Sequence, residues 1–546
     1  MKYYSLFFEA RGIQSYIFDS GKMKEMVGAS ELVKELCESE LDRVIDHLGL
    51  ERIVPKTKDD SRKIANMTPN QIFFSRRSGG VFTAIFADEA IRDRFLSIWS
   101  LLVTNLAPGL EMVCAVSESE DFKGLVKKTY DILGYNRNTP AAILPEATPM
   151  HVLAPRTGKI TVENHPTVGG EKVWMDEASI KKLKIAEKTS SNVLSNSFLL
   201  ELYRDNFSFP KNLEFDNRDK DAFPFRKDSR YLGLIHADGN GLGETLLQLR
   251  KSFNDGSEYA VMLRLFSDSL EAATREAAQE ATKKLIEKYG KKSGILPMRP
   301  LVLGGDDLTV LVRADYAMQF TEDYCKAFET STEKYFKYLH EASGNKIPAK
   351  LTACAGIAYV KNNQPFMDAF ELAESLCAAS KKISKEVKAK ENREFIPASV
   401  TSLVVTNSFI ENYDAYKEKE LTIKKGNEKY IATFDAYAFD ENEQTIPTLK
   451  ALRELCKILK EDGVTASSIR QYATMIFGDV NISREKWRRW IEILKQKKGK
   501  LGQLLQCMKI FGVENVEESP WTKDNKTPVF DALQLMGMEE EENKND

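Results

Sequence analysis

The sequence predicts a mixed α/β (α+β) protein in which two ferredoxin-like βαββαβ domains are followed by a C-terminal α-helical domain. The same order of predicted strands and helices occurs twice in the first 400 or so residues, and the last hundred have only helical periodicity. We place the boundaries at 1–117 for the first domain, 118–225 for a linker domain, 226–440 for the second domain, and 441–546 for the helical domain with an acidic tail.

Each predicted element follows from local hydrophobic periodicity. In the first repeat the strands are 3–9, 71–74, 81–87 and 111–117, and the helices are 23–48, 88–105 and 121–132. In the second repeat a strand at 231–238, a hairpin at 301–313 and a strand at 350–360 alternate with helices at 257–289, 316–342 and 366–388. The C-terminal domain has predicted helices at 447–461, 465–477, 483–497 and 499–511.

The predicted hairpin contains the most informative motif of the chain. Two apolar strands are joined at Gly304 and Gly305, and Asp306 and Asp307 follow directly. Paired glycines reach the positive φ angles of a tight turn, so the motif presents two carboxylates at a sheet edge. Adjacent carboxylates repel each other unless a cation lies between them, which indicates a divalent metal. The alternative is an ordinary hairpin with a solvated acidic turn.

A second segment supplies a third carboxylate. The apolar strand from Tyr231 ends at Asp238, and a glycine-rich turn from Gly239 to Gly243 follows. If this strand pairs beside the hairpin, Asp238 lies close to the other two aspartates and the cluster can hold Mg²⁺ or Mn²⁺ with a triphosphate. The turn, with Asn240 and Gly241, would open a helix whose N–H groups can bind phosphate.

Alignment of the two repeats in sequence predicts that the first repeat has lost the three carboxylates of the second. Arg11 aligns with Asp238, and Val81 and Phe82 align with Asp306 and Asp307. The first domain should therefore hold no catalytic metal. Its Gly79-Gly80 turn is retained, so it can still contact a nucleotide.

Composition excludes several other classes. The 546-residue chain carries a net charge of −3, so nucleic-acid contacts would require local basic patches. Its seven cysteines form no Cys-x-x-Cys pair, which argues against a zinc site or a disulfide framework. No segment approaches eighteen uninterrupted apolar residues, so we expect a soluble, cytoplasmic protein with no membrane contact.

With the helix at 366–388, these motifs resemble the palm of GGDEF-type diguanylate cyclases. In that fold a lysine on the corresponding helix meets the triphosphate, which implies this role for Lys381, with Lys382 as the fallback. Without the resemblance, Lys381 is equally a solvated helix charge.

The pairing of an inactive palm with a Gly-Gly-Asp-Asp palm resembles the large polymerase-like subunit of type III CRISPR effector complexes. The matching motifs lie at 12–18, 28–32, 78–82, 237–241, 303–307 and 355–358. The resemblance implies that Ser30 and the Gly79-Gly80 turn contact a second nucleotide. It further implies effector-complex subunits, guide RNA and target RNA as partners, and a role in antiviral defence.

Two features of that family are missing. The sequence has no His-Asp dipeptide, so the nuclease domain found in many members is not expected, and the 118–225 linker has no cysteine for the zinc site that members often carry. His236 stands near Asp238, but strand alternation points it to the opposite face, as a core histidine.

We therefore predict a metal-dependent nucleotidyl transferase that converts ATP into a cyclic oligoadenylate and pyrophosphate. Asp238, Asp306 and Asp307, with the Gly239 carbonyl, would hold two Mg²⁺ or Mn²⁺ ions. The alternatives are a stand-alone cyclic dinucleotide synthase, an enzyme that transfers AMP to another acceptor, and a nucleotide-binding scaffold that organises guide RNA and target.

Overall fold

The computed structural model of the chain describes residues 2–139, 148–166, 172–188, 193–213, 221–406, 412–461, 480–496 and 500–539. Over these residues the fold is the mixed α/β architecture that the sequence predicts, with two large sheets, three two-stranded sheets and a C-terminal helical region. No helix within the described ranges is both long and apolar enough to cross a bilayer.

The chain forms two compact units, and the boundary between them runs through the second repeat. The first unit contains Met1–Pro224, Gly241–Thr309 and Ala327–Leu351. The second contains Phe225–Asn240, Val310–Lys326 and Thr352–Asp546.

The first unit is built on a five-stranded sheet. Its strands are β1 (Tyr3–Arg11), β2 (Glu51–Ile53), β3 (Gln71–Ser78), β4 (Val81–Phe86) and β5 (Glu111–Ser119). They are arranged in the order β2-β3-β4-β1-β5, with β1 antiparallel to both of its neighbours. The sequence predicted four of these strands; β2 is three residues long, too short to give a periodic signal.

Helices cover both faces of this sheet. They are α1 (Ile13–Phe18), α2 (Met23–Glu35), α3 (Leu41–His47), α4 (Ser61–Ala65), α5 (Glu89–Leu106) and α6 (Phe122–Arg137). A single π-helical turn, Leu36–Glu40, joins α2 to α3, so the predicted helix 23–48 is continuous but locally underwound. On one face Phe82 stacks on Phe8 and meets Trp99 of α5 edge-on.

On the opposite face α6 packs against β1 and β5. The hydroxyls of Ser5, Ser117 and Thr129 form a buried hydrogen-bonded cluster with O–O distances of 2.8 to 2.9 Å. Helix α6 therefore belongs to the first sheet structurally, although it follows the boundary that we placed at residue 117.

The segment after α6 contains β6 (Glu163–Pro166), β7 (Lys172–Met175), α7 (Glu177–Glu187), α8 (Val193–Phe198) and β8 (Phe207–Ser208). Helix α7 lies unusually close to α2: a Cβ on Gly28 would be 1.7 Å from the carbonyl oxygen of Lys182. The Lys182 ammonium is buried and donates to the Tyr16 carbonyl at 2.6 Å, and burial lowers the pKa of this lysine. Close backbone contact and a buried cation thus fix α7 on the first domain.

The second repeat begins with β9 (Tyr231–Gly239), α9 (Leu242–Ser252), α10 (Gly256–Tyr289) and β10 (Gly294–Ile295). It continues with β11 (Met298–Gly304), β12 (Asp307–Arg313), α11 (Ala314–Ala342), β13 (Ala353–Lys361), α12 (Phe366–Glu391) and β14 (Ser399–Val404). The six-stranded sheet has the order β11-β12-β9-β13-β14, completed by a short strand further along the chain. Helix α12 packs on β13, where a Cβ on Gly356 would meet the Ala373 carbonyl at 2.1 Å.

The remaining elements of the second unit are α13 (Tyr413–Glu420), β15 (Thr422–Lys425), β16 (Glu428–Ile431) and β17 (Tyr437–Ala438), then α14 (Leu449–Glu461), α15 (Val480–Lys495), α16 (Lys500–Ile510) and α17 (Val529–Met538). Strand β17 is the last strand of the six-stranded sheet. Three of the four predicted C-terminal helices are present as α14, α15 and α16. The predicted helix at 465–477 and residues 540–546 of the acidic tail lie outside the described residues.

We expect Gly28→Ala to lower the free energy of unfolding by about 1–3 kcal/mol, because α7 must move to admit the methyl group. Gly134→Ala is the matched control, since a Cβ there has nothing within 4 Å and the change improves helix propensity in α6. Denaturant unfolding of both variants beside the wild type measures the difference. Equal stability of Gly28→Ala and the wild type would contradict the close α2–α7 contact.

Candidate metal and nucleotide site

The turn between β11 and β12 holds two of the predicted aspartates. Gly304 ends β11, Gly305 takes a φ of 63°, and Asp307 begins β12. Two side chains fix the turn: Ser78 Oγ accepts from the Gly305 N–H at 2.9 Å, and Thr274 Oγ1 donates to the Gly305 carbonyl at 2.6 Å. The Asp306 and Asp307 carboxylates therefore project from a restrained backbone.

The third carboxylate lies on the neighbouring strand of the same sheet. Asp238 is the penultimate residue of β9, which is next to β12 in the strand order and pairs Asp238 with Cys354 of β13. One oxygen from each of Asp238, Asp306 and Asp307 lies within 4.8 Å of the others, and all three residues are half-buried. Strand order and register thus bring together the three predicted metal ligands.

Lys381 reaches this cluster from α12. Its ammonium is paired with the Asp238 carboxylate and donates to the Gly239 carbonyl at 2.9 Å. The cation thus contacts two of the four groups that we predicted as metal ligands. Lys382, the fallback, is exposed to solvent. The structure thus separates Lys381, which contacts the cluster, from the exposed Lys382, a choice that the sequence alone could not make.

The donor set fits a small divalent cation. Three carboxylates and one backbone carbonyl supply only oxygen atoms, which Mg²⁺ and Mn²⁺ prefer, and the carboxylates lie close enough to share an ion. The Lys381 ammonium shows that a positive charge is accommodated there. Among the described residues no other group of three acidic, histidine or cysteine side chains could hold a metal.

His236 plays no part in the cluster. Its ring is buried and packs edge-on against Phe370, with the centroids 5.6 Å apart. Burial lowers the pKa of His236 to about 4, so the ring is neutral at physiological pH. The predicted assignment as a core histidine agrees with this placement.

Asn240 faces inward. Its N–H donates to the Thr352 carbonyl at 2.8 Å, and its side-chain amide donates to Thr352 Oγ1 at 3.0 Å and Cys354 Sγ at 3.3 Å. This corrects the prediction that Asn240 itself contacts a nucleotide, because both of its donors are already used. Asn240 instead anchors the turn to β13. Gly241, with φ of 76°, precedes α9 without a side-chain cap, and its contact with phosphate stays a prediction.

The equivalent positions of the first repeat are structurally incompatible with such a cluster. Phe82 is fully buried in the aromatic core, Val81 is buried on β4, and Arg11 donates to the Arg137 carbonyl at 3.1 Å. A carboxylate at position 82 would be surrounded by aromatic rings.

The glycine turn of the first repeat borders a cavity of about 290 Å³ within the first unit. Ser30, Gly79, Gly80, Gly304 and Asp307 all line it. The two glycine turns approach so closely that a Cβ on Gly304 would lie 2.7 Å from the Gly79 Cα. The structure thus brings the predicted second-nucleotide residues beside the acidic hairpin. The Ser30 hydroxyl donates to the Met26 carbonyl at 2.9 Å, so it also has a helix-internal role.

Sequence reasoning missed the residues that restrain the acidic turn. Thr274 lies in the middle of a 34-residue helix, and its role depends on where that helix packs. Ser78 directly precedes the Gly79-Gly80 turn, and this proximity to a glycine turn was the only available signal. Both contacts are set by tertiary packing, which local periodicity does not encode.

Comparison with known proteins agrees with the motifs. Residues 231–392 match the family model for Cas10/Cmr2, second palm domain, and this range includes the three aspartates and Lys381. The match confirms the predicted resemblance to the large polymerase-like subunit of type III CRISPR complexes. A search of curated proteins gave no match.

The chain is also similar to solved structures. It matches Csm1 in T.onnurineus with 13% sequence identity and a TM-score of 0.47, covering 98% of this chain and 70% of that chain. A chain of the Csm1-Csm4 cassette in complex with AMPPNP matches with 13% identity and a TM-score of 0.48, over 98% and 70% of the two chains. A chain of the same cassette in complex with cA4 matches with 12% sequence identity and a TM-score of 0.47, covering 98% of this chain and 70% of that chain.

We expect Lys381→Met to have opposite effects on two ligands. Mn²⁺ alone should bind roughly fivefold more tightly, because it no longer displaces a half-buried ammonium. A non-reactive ATP analogue with Mn²⁺ should bind more weakly, because a cation beside the phosphates is lost. Isothermal titration of each ligand measures both effects.

Lys382→Met is the matched control and should change neither affinity. An unchanged Mn²⁺ affinity in Lys381→Met would show that the lysine and the metal do not compete for Asp238.

Proposed function

We propose that the chain is a metal-dependent nucleotidyl transferase that joins ATP molecules into a cyclic oligoadenylate and releases pyrophosphate. The observation that supports this most directly is the cluster of Asp238, Asp306 and Asp307, whose oxygens lie within 4.8 Å of one another. Three half-buried carboxylates repel one another and contribute little to stability by themselves, so a cation-binding role accounts for them best.

The residues that would hold two Mg²⁺ or Mn²⁺ ions are these three aspartates and the Gly239 carbonyl. Bound there, the ions would lower the pKa of an attacking ribose hydroxyl and neutralise the charge on the departing pyrophosphate. The protein's own contribution is to fix the ligand positions, through the strand pairing of β9 and the two hydrogen bonds at Gly305.

Lys381 and the start of α9 would bind the triphosphate. With a metal bound at Asp238, the Lys381 ammonium would lie beside the phosphates, and an anionic phosphate would replace Asp238 as its partner. Helix α9 begins at Leu242 after the left-handed Gly241, and its N-terminal dipole favours negative charge there.

The second nucleotide would occupy the cavity at Ser30, Gly79 and Gly80 and present its hydroxyl for attack. Gly79 and Gly80 both have positive φ, at 62° and 78°, so the backbone turns without side chains that would obstruct a ligand. Asp307 lines the same cavity, so a nucleotide bound there would lie beside one of the proposed metal ligands. Holding both reactants would supply much of the rate enhancement.

The biological setting is the part of the proposal that follows from the family. We propose that the chain works in the cytoplasm in antiviral defence, with other effector-complex subunits, guide RNA and target RNA as partners. The adenylate product and its ring size belong to the same proposal.

The test is to incubate the chain with Mg²⁺ or Mn²⁺ and α-labelled ATP and to resolve the products by mass spectrometry. We expect a cyclic adenylate, and we expect Asp306→Asn with Asp307→Asn to reduce its formation by about a hundredfold or more, since each metal ligand supports transition-state charge. This double variant should unfold at the wild-type temperature, because half-buried repelling carboxylates add little stability.

The matched control is Glu517→Gln with Glu518→Gln, an adjacent acidic pair that is exposed in the helical domain and should retain full activity. Undiminished product in the double-asparagine variant would refute the site. ATP binding without any product, with or without added target RNA, would favour a nucleotide-binding scaffold.

A further inference from the structure

Three buried serine hydroxyls form a cluster between helix α12 and strand β14. Ser399 of β14 lies with its Oγ 2.6 Å from Ser380 Oγ and 2.7 Å from Ser384 Oγ on the helix, and all three residues are 0% exposed. Ser380 directly precedes Lys381, and Ser384 follows it by three residues. The hydrogen bonds of this serine cluster therefore hold α12 on both sides of the lysine that contacts the acidic cluster.

These contacts continue from the serine cluster to the strand that carries Asp238. Cys354 of β13 lies with its Sγ 3.5 Å from Ser399 Oγ, and it accepts a hydrogen bond from the Asn240 side-chain amide at 3.3 Å. Cys354 is directly opposite Asp238 in the β9–β13 register, and Asn240 follows Asp238 by two residues. A continuous chain of buried polar groups thus links the helix of Lys381 to the strand of Asp238, and it lies wholly within the second unit.

A polar cluster is not needed to attach α12 to the sheet. The rest of the buried face of the helix is largely apolar, with Phe366, Phe370, Ala373, Leu376 and Val387 among its residues. Apolar burial is non-directional, so by itself it allows a helix to slide or rotate by small amounts. Hydrogen bonds depend on distance and angle, and a fully satisfied buried network specifies one arrangement. The serine cluster thus fixes the position of α12 along and around its own axis.

We infer that the serine cluster is a positioning element that sets the reach of Lys381 to Asp238. The inference rests on the proposed function, which gives this lysine its role beside the metal and the phosphates. Lys381 donates to the Gly239 carbonyl at 2.9 Å. A shift of α12 by about 1 Å would carry the ammonium beyond hydrogen-bond distance of that carbonyl, and misplacement on this scale has large effects at reacting groups. The three serines act on the lysine through the backbone of α12.

Ser399→Ala tests this role, because it removes the hydroxyl that joins both helix serines. The two probes are Mn²⁺ alone and α,β-methylene-ATP with Mn²⁺, each measured by isothermal titration. We expect Mn²⁺ to bind about twofold more tightly, because a loosely placed ammonium is easier to displace from Asp238. We expect the ATP analogue to bind about threefold more weakly, because the same ammonium is no longer held beside the phosphates. A general loosening of the site would weaken binding of both probes.

The same substitution in a Lys381→Met background separates positioning of the lysine from any other effect. With no ammonium to position, Ser399→Ala should change neither affinity further. Retention of either shift in this background would overturn the inference. Shifts of the same sign for the two probes in Ser399→Ala alone, or no shift for either, would overturn it as well.

A second variant keeps the test independent of folding. Ser399→Ala alone leaves two buried hydroxyls short of a partner and should lower the unfolding temperature. Replacing all three residues of the serine cluster with alanine leaves no hydroxyl of the cluster unpaired. This triple variant should therefore unfold nearer the wild-type temperature and still show both shifts.

Ser402→Ala is the matched control, since Ser402 lies on the same strand and alternation directs it to the opposite face. It should change neither affinity. If the wild type binds neither Mn²⁺ nor the ATP analogue, the proposed function fails and the inference falls with it. That outcome is distinct from a wild type that binds both probes and a Ser399→Ala variant without the opposite shifts.

Discussion

Repulsion between three carboxylates is the constraint around which the second repeat is organised. Two unit charges about 4 Å apart cost roughly 1–4 kcal/mol at the effective dielectric constants of a protein surface. In the chain alone, Lys381 offsets part of this repulsion. It can do so only because α12 packs closely on β13, and that contact depends on Gly356, where any Cβ would collide with the Ala373 carbonyl. A glycine remote from the aspartates therefore controls how well they are neutralised.

The sequence was most informative where function depends on local backbone. Gly304 to Asp307 combine a turn signal with two carboxylates, so both the hairpin and the position of the paired carboxylates could be predicted from adjacent residues. Asp238 was found because a buried strand ends there. Asn240 was misassigned because its side chain is directed by a long-range partner, Thr352. Strands β14 and β17 were missed because pairing with distant strands determines them, and β17 is only two residues long.

The two repeats differ at the positions of the predicted metal ligands. In the first repeat, Phe82 fills the site of an aspartate and becomes part of an aromatic core with Phe8 and Trp99. The glycine turn next to it is constrained differently. Gly79 lies so close to Gly304 that Gly304 cannot carry a side chain, so the turn of the first repeat imposes a steric requirement on the second.

Helix α10 has a mechanical consequence. With 34 residues it is about 51 Å long, and one continuous hydrogen-bond ladder makes it a stiff rod. At its N-terminal end Gly256 lies against Phe122, and in its middle Thr274 donates a hydrogen bond to the Gly305 carbonyl. A displacement of the helix along its axis would therefore move the turn that carries Asp306. The helix thus connects the N-terminal end of α6 to the turn that carries Asp306 through one stiff element.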